Sequence, residues 1–151
     1  MDEKTNVMRL LEQKKIPYVG HSYAVSGVEV ARALGENPAQ VFKTLVTVGK
    51  SRQYYVFVIP VAAELDLKKA AKAVGEKSVE MIKAKELLPL TGYIHGGCSP
   101  IGMKKSFKTT VDSSAAGFET IIFSAGRIGY QVEVSCLLYT SDAADDMQCV
   151  D

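Results

Sequence analysis

Tryptophan is absent from the 151 residues and cysteine appears only three times. No apolar run approaches the ~18–20 residues needed to cross a bilayer. The amino-terminal MDEKTN lacks the basic-then-apolar pattern of a secretory signal. Net charge is only +1, which by itself points to no special partner. These gaps exclude a membrane span and a disulfide scaffold, and leave a soluble, cytoplasmic protein as the expectation. What is there, 47% hydrophobic and 23% charged residues, is the composition of one ordinary globular domain.

The charges are unevenly placed. Residues 136–151 hold four acids (Asp142, Asp145, Asp146, Asp151) and no lysine or arginine, so residues 1–135 carry eighteen basic against thirteen acidic side chains, a balance of +5. Within the acidic end, CLLYTSDAAD resembles the read-through translation of a sequencing-library transposon adapter. Residues 136–151 are therefore expected to be a non-native tail, with a native disordered tail as the alternative, and residues 1–135 to be the domain. Cys136 and Cys149 fall in that tail. Cys98 is left alone in the body, with no CxxC and no histidine spaced for zinc, so no metal site is expected.

Val7, Leu10 and Leu11 stand at helical spacing between Thr5 and Lys15, and Pro17 ends the pattern. A strand is expected over Tyr18 to Tyr23. Ser26-Gly27-Val28-Glu29 matches a capping box and predicts a helix to about Leu34, stopped by Gly35. Val41 to Val48 and Tyr54 to Ile59 are β-rich runs joined by Gly49-Lys50-Ser51-Arg52. Both alternating sets of each run are largely apolar, which puts these strands in the middle of a sheet. Asp66 caps a helix carrying Leu67, Ala70, Ala71 and Val74, with Lys68, Lys69 and Lys72 on its other face. A weak helix over Ala84 to Leu88 should stop near Pro89 and Gly92. Strands are expected at Thr109 to Val111, Glu119 to Ser124 and Tyr130 to Ser135. The last alternates Gln131, Glu133 and Ser135 on one wet face, after a turn at Gly126-Arg127-Ile128-Gly129. The fold class is mixed α/β, a mainly antiparallel sheet or half-barrel flanked by helices.

Lys43 is an ammonium in an apolar strand, so it either reaches water past the sheet edge or lines a pocket. Gly92 to Gly102 holds four glycines and a proline. Paired glycines let backbone N–H groups approach an oxygen of a ligand, although a tight structural turn explains them as well. Nothing in the sequence pairs His21 or His95 with a carboxylate, and Cys98 reads as a small buried thiol rather than a nucleophile. Lys104, Lys105 and Lys108 form a basic strip, either solvated or facing an anionic ligand.

Taken in order, Val41-Phe42-Lys43-Thr44-Leu45, Pro60-Val61-Ala62, Leu65-Asp66-Leu67-Lys68-Lys69-Ala70-Ala71-Lys72, Val79-Glu80-Met81, Thr91-Gly92-Tyr93 and Gly96-Gly97-Cys98-Ser99-Pro100-Ile101-Gly102 with Lys104-Lys105 resemble the YbaK family of bacterial Cys-tRNA(Pro) deacylases. The match runs over about residues 4 to 135. The resemblance implies a hydrolase that releases a wrongly attached cysteine from tRNA(Pro) without metal or cofactor. It implies catalytic roles for Lys43, Gly96 and Gly97, and substrate binding by Tyr23, Ser99, Pro100, Gly102, Lys104 and Lys105. It also implies the substrate's own thiol as the attacking group. The partners implied are the acceptor end of tRNA(Pro) and prolyl-tRNA synthetase. Alternatives are the same chemistry on another mischarged tRNA such as Ala-tRNA(Pro), or a non-catalytic module binding the acceptor end or the synthetase. Three features depart from the family: Cys98 replaces a branched aliphatic, the stretch from Tyr23 to Val28 is short, and the terminal helix is expected to be missing.

Overall fold

A computed structural model describes residues 4–22, 38–135 and 148–150. The helix predicted after Ser26 lies outside the described residues, as does Tyr23.

Helix α1 (Asn6–Gln13) starts on the Thr5 hydroxyl, which accepts from the Met8 amide, and buries Val7, Met8 and Leu11. Strand β1 (Tyr18–Ser22) follows. A short 3-10 turn (Pro38–Gln40) leads into β2 (Phe42–Gly49), and a hairpin returns as β3 (Tyr54–Pro60). Helix α2 (Leu67–Val74) is capped by Asp66, whose carboxylate accepts from the Lys68 and Lys69 amides, and stopped by left-handed Gly75. Strand β4 (Val79–Met81) and helix α3 (Ala84–Thr91) come next. Helix α3 runs through Pro89 to Thr91, three residues beyond the predicted Leu88, and stops at Gly92 as expected. A proline so near the helix end removes one backbone bond and leaves the remaining turn intact. Then follow β5 (Lys108–Asp112), β6 (Thr120–Ser124), β7 (Tyr130–Ser135) and β8 (Gln148–Val150).

Two sheets result, one ordered β1-β7-β6 and the other β4-β2-β3-β5-β8. The β1–β7, β6–β7, β2–β3 and β2–β4 pairs are antiparallel, whereas β3–β5 and β5–β8 are parallel. The sequence-based expectation of a mainly antiparallel mixed α/β fold holds. Three residues of the segment set aside as a tail add a parallel strand at the sheet edge.

The main core fills the space between α1 and the two sheets, with Phe42, Val46, Val56 and Val58 meeting Ile121, Phe123, Val132 and Val134. The opposite face of the larger sheet buries Tyr55, Phe57 and Ile59 against Ala70 and Ala71 of α2. Strands β2 and β3 are therefore covered on both faces, which is why neither shows polar alternation.

Candidate active site

Lys43 lies opposite Ile59 in the β2–β3 register, on the face that carries Leu45 and Thr47 rather than the main-core residues Phe42 and Val46. It is half-buried. Two residues earlier on the same face, Val41 forms a parallel bridge to Ile122 of β6, and both are fully buried together with Val61 packed on them. This bridge joins the two sheets. Two residues beyond it on each strand come Lys43 and Ser124, again on that face.

Ser124 opposes Gln131 of β7, and Gln131 opposes His21 of β1. A polar row thus continues across the smaller sheet from the edge that β2 meets. The Gln131 carbonyl Oε1 is buried and has no hydrogen-bond partner among the described residues. Next to it, Glu133 Oε1 lies 3.1 Å from His21 Nε2, and Glu133 Oε2 accepts from the Thr120 hydroxyl at 2.7 Å. The Gln40 amide donates to the Thr120 carbonyl at 3.0 Å and to its hydroxyl at 2.8 Å. The face predicted to be wet is instead half-buried under this network. His21 does have a carboxylate partner. Nothing in the local sequence reveals it, because the two residues are 112 positions apart.

The glycine segment begins where left-handed Gly92 ends α3 and donates to the Leu88 carbonyl. Tyr93, Cys98 and Ile101 join the main core, and the Tyr93 hydroxyl donates to the Ile101 carbonyl. Ser99 is buried and its hydroxyl accepts from the Ile101 amide, so it holds the loop; Pro100 is half-buried. Gly102 sits at φ +77°, where an added Cβ would come within 2.9 Å of the Tyr93 hydroxyl and 3.0 Å of Leu10. Exposed Gly96 has φ +88° and faces Ile128. A Cβ on Gly97 would lie 3.2 Å from the Ile128 backbone nitrogen. The tip of the loop therefore rests on the β6–β7 turn, the turn that joins Ser124 to Gln131 through Gly126–Gly129. Ile94 and Ile128, both more than half exposed, give this tip apolar flanks that the sequence pattern did not single out.

Lys104 and Lys105 are exposed, and the Lys104 stem covers Gly92. Lys108 opposes Tyr55, four residues before Ile59 on β3. That separates it from the level of Lys43 by ~13 Å along the strand. A cavity of about 270 Å³ opens on the same face of the larger sheet, where Phe57, Ile59, Leu65, Asp66, Lys69 and Thr110 are among its walls; Ile59 is the cross-strand neighbour of Lys43, but none of the predicted site residues lines the cavity. Burial pushes the Cys98 thiol up to about 11, against a smaller opposite effect from the Thr91 hydroxyl. At neutral pH this sulfur holds its proton.

Residues 21–139 match a family model described as an aminoacyl-tRNA editing domain. The chain is 50% identical over 138 residues to EbsC of Enterococcus faecalis, a candidate Cys-tRNA(Pro)/Cys-tRNA(Cys) deacylase, covering 88% of this chain and 84% of that one. A solved structure of a candidate trans-editing enzyme for prolyl-tRNA synthetase superposes with a TM-score of 0.80 at 24% identity, covering 99% of this chain and 98% of its own. Another, of a hypothetical protein, gives 0.82 at 22% identity, covering 95% and 97%. At these identities the two structures speak to the fold alone.

Proposed function

This chain belongs to the aminoacyl-tRNA editing domain family, and from that membership we propose that it hydrolyses the ester linking a wrongly attached cysteine to tRNA(Pro). What supports the reading is the match of residues 21–139 to the editing-domain family and the 50% identity to a candidate Cys-tRNA(Pro)/Cys-tRNA(Cys) deacylase, together with a half-buried Lys43 on the face it shares with Ser124 past the Val41–Ile122 bridge. The Lys43 ammonium anchors the terminal ribose or phosphate, and the exposed backbone at Gly96 stabilises the charge that develops on the ester oxygen, while the buried Gly97 amide donates to the Ile94 carbonyl at 2.9 Å and shapes the turn.

Cys98 supplies no nucleophile, being buried and protonated. The attacking group is the thiol of the bound cysteine. Its sulfur forms a bond to its own carbonyl carbon as the bond to the ribose oxygen breaks, and the thiol proton leaves with that oxygen. Water then opens the thiolactone to free cysteine. The protein positions the substrate and stabilises charge, without a metal.

The test compares release of cysteine, alanine and serine from tRNA(Pro), with and without chelator. Cysteine should be released well above the buffer blank, insensitive to chelation, with the alanyl ester untouched. Lys43→Ala should lower kcat/KM about 100-fold or more. Cysteine release at the blank rate, or an undiminished rate in Lys43→Ala, overturns the proposal. Equal release of alanine replaces the thiol mechanism by attack of water.

A further inference from the structure

Glu133 receives hydrogen bonds from two directions. Through Thr120 and then Gln40 it reaches the 3-10 turn that launches β2, and Lys43 follows Gln40 by three residues. Through His21 it reaches the end of β1, two residues before Tyr23. The side chains of His21 and Glu133 are only 16% and 20% exposed, so the pair is largely shielded from competing water. In the row beside them, Gln131 keeps its buried carbonyl unpartnered among the described residues. We infer that Glu133 is a positioning residue which sets the strand carrying Lys43 relative to the strand carrying His21, and so fixes the width of the site between them.

This inference rests on the editing reading for its kinetic consequence, but the wiring itself is physical and can be read without turnover. The two oxygens of the Glu133 carboxylate accept from the Thr120 hydroxyl and engage the His21 ring at once. Glutamine has the same length, so it can still accept from Thr120 and pair with one tautomer of His21. Alanine loses both arms. Because the Gln40–Thr120–Glu133 contacts form a chain, their removals should not add.

The experiment uses the full chain with Glu133→Ala, Glu133→Gln, Gln40→Ala and the Glu133→Ala/Gln40→Ala double variant. One readout is the NMR signal of a 13C-dimethylated Lys43, assigned by its loss in Lys43→Arg. The other is the kcat and KM for Cys-tRNA(Pro). Glu133→Ala should shift the Lys43 signal and lower kcat about tenfold or more with KM changed by less than about threefold. Glu133→Gln should recover most of both, and Gln40→Ala should add little to Glu133→Ala. An unmoved Lys43 signal in folded Glu133→Ala overturns the inference, as does a loss confined to KM or additive effects of Glu133 and Gln40. If the unsubstituted chain releases no cysteine, the functional proposal fails by itself, and the Lys43 signal still decides the role of Glu133.

Discussion

Cys98 lies two residues after the exposed Gly96 assigned to the substrate, yet it belongs to the core. Its thiol is pushed up to about 11 from the 9.0 of an exposed thiol, because burial penalises the thiolate. A native state that holds its proton more tightly than the unfolded chain is favoured at every pH below the unfolded value. That advantage is lost as pH rises from about 9 towards 11. Thermal unfolding followed against pH should therefore be level from pH 7 to 8.5 and fall above pH 9. Cys98→Ala should flatten this fall, which corresponds to about 3 kcal/mol when complete. Tyr93, raised to about 12 chiefly by burial, adds a second loss at still higher pH. The same burial predicts slow alkylation of Cys98 by iodoacetamide at pH 7.5, and deacylation in Cys98→Ala within about twofold of the parent. Rapid labelling accompanied by lost activity would restore the enzyme thiol as a nucleophile.

At the scale of elements, the loop after α3 is held at both ends and approaches backbone at its middle. Gly97→Ala would drive a Cβ against the Ile128 nitrogen, an atom that cannot swing aside as a side chain end can. The expected result is a displaced loop tip with kcat down about tenfold or more. Gly117→Ala is the matched control, since nothing lies within 4 Å of its added Cβ. Its rate should equal that of the parent, and equal rates in both variants would remove the loop from catalysis. Tyr93→Phe tests the anchor: the Ile101 carbonyl loses its donor inside the core, at a cost of about 1–3 kcal/mol in denaturant unfolding. Most elements were legible in the sequence because each carries its own punctuation, such as Asp66 as a cap, Pro17 as a break and Gly92 as a stop. The polar face of β7 was misread for a related reason. Alternation shows that Gln131 and Glu133 share a side, but not that Thr120 and His21 arrive from other strands to cover it.

Across the whole molecule, the Val41–Ile122 bridge is where the smaller sheet meets the larger, and both residues are completely buried. Ile122→Ala should cost about 2–5 kcal/mol by leaving a cavity at that seam. It should also lower activity beyond what the unfolded fraction explains, because Lys43 and Ser124 lie just past the bridge. Residues 1–135 carry eighteen basic and thirteen acidic side chains, with Lys104 and Lys105 exposed. Contact with about three phosphates predicts that the logarithm of tRNA affinity falls with the logarithm of salt concentration with a slope on the order of −2 to −3. Affinity insensitive to salt would remove the basic strip as a tRNA surface. Among the described residues no helix is long and apolar enough to cross a membrane.

Contiguous residues were enough to reveal most of the helices and strands, the two-sided burial of β2 and β3, and the family, since each rests on periodicity, caps or short motifs; they did not reveal the short strands β4 and β8, which are too brief to show a period. Only the tertiary structure decided that Val41 meets Ile122, that His21 meets Glu133, and that the loop tip rests on the turn between Ser124 and Gln131. Those contacts join residues far apart in the chain through strand register and packing, and no local pattern of side chains encodes a register between strands separated by half the molecule.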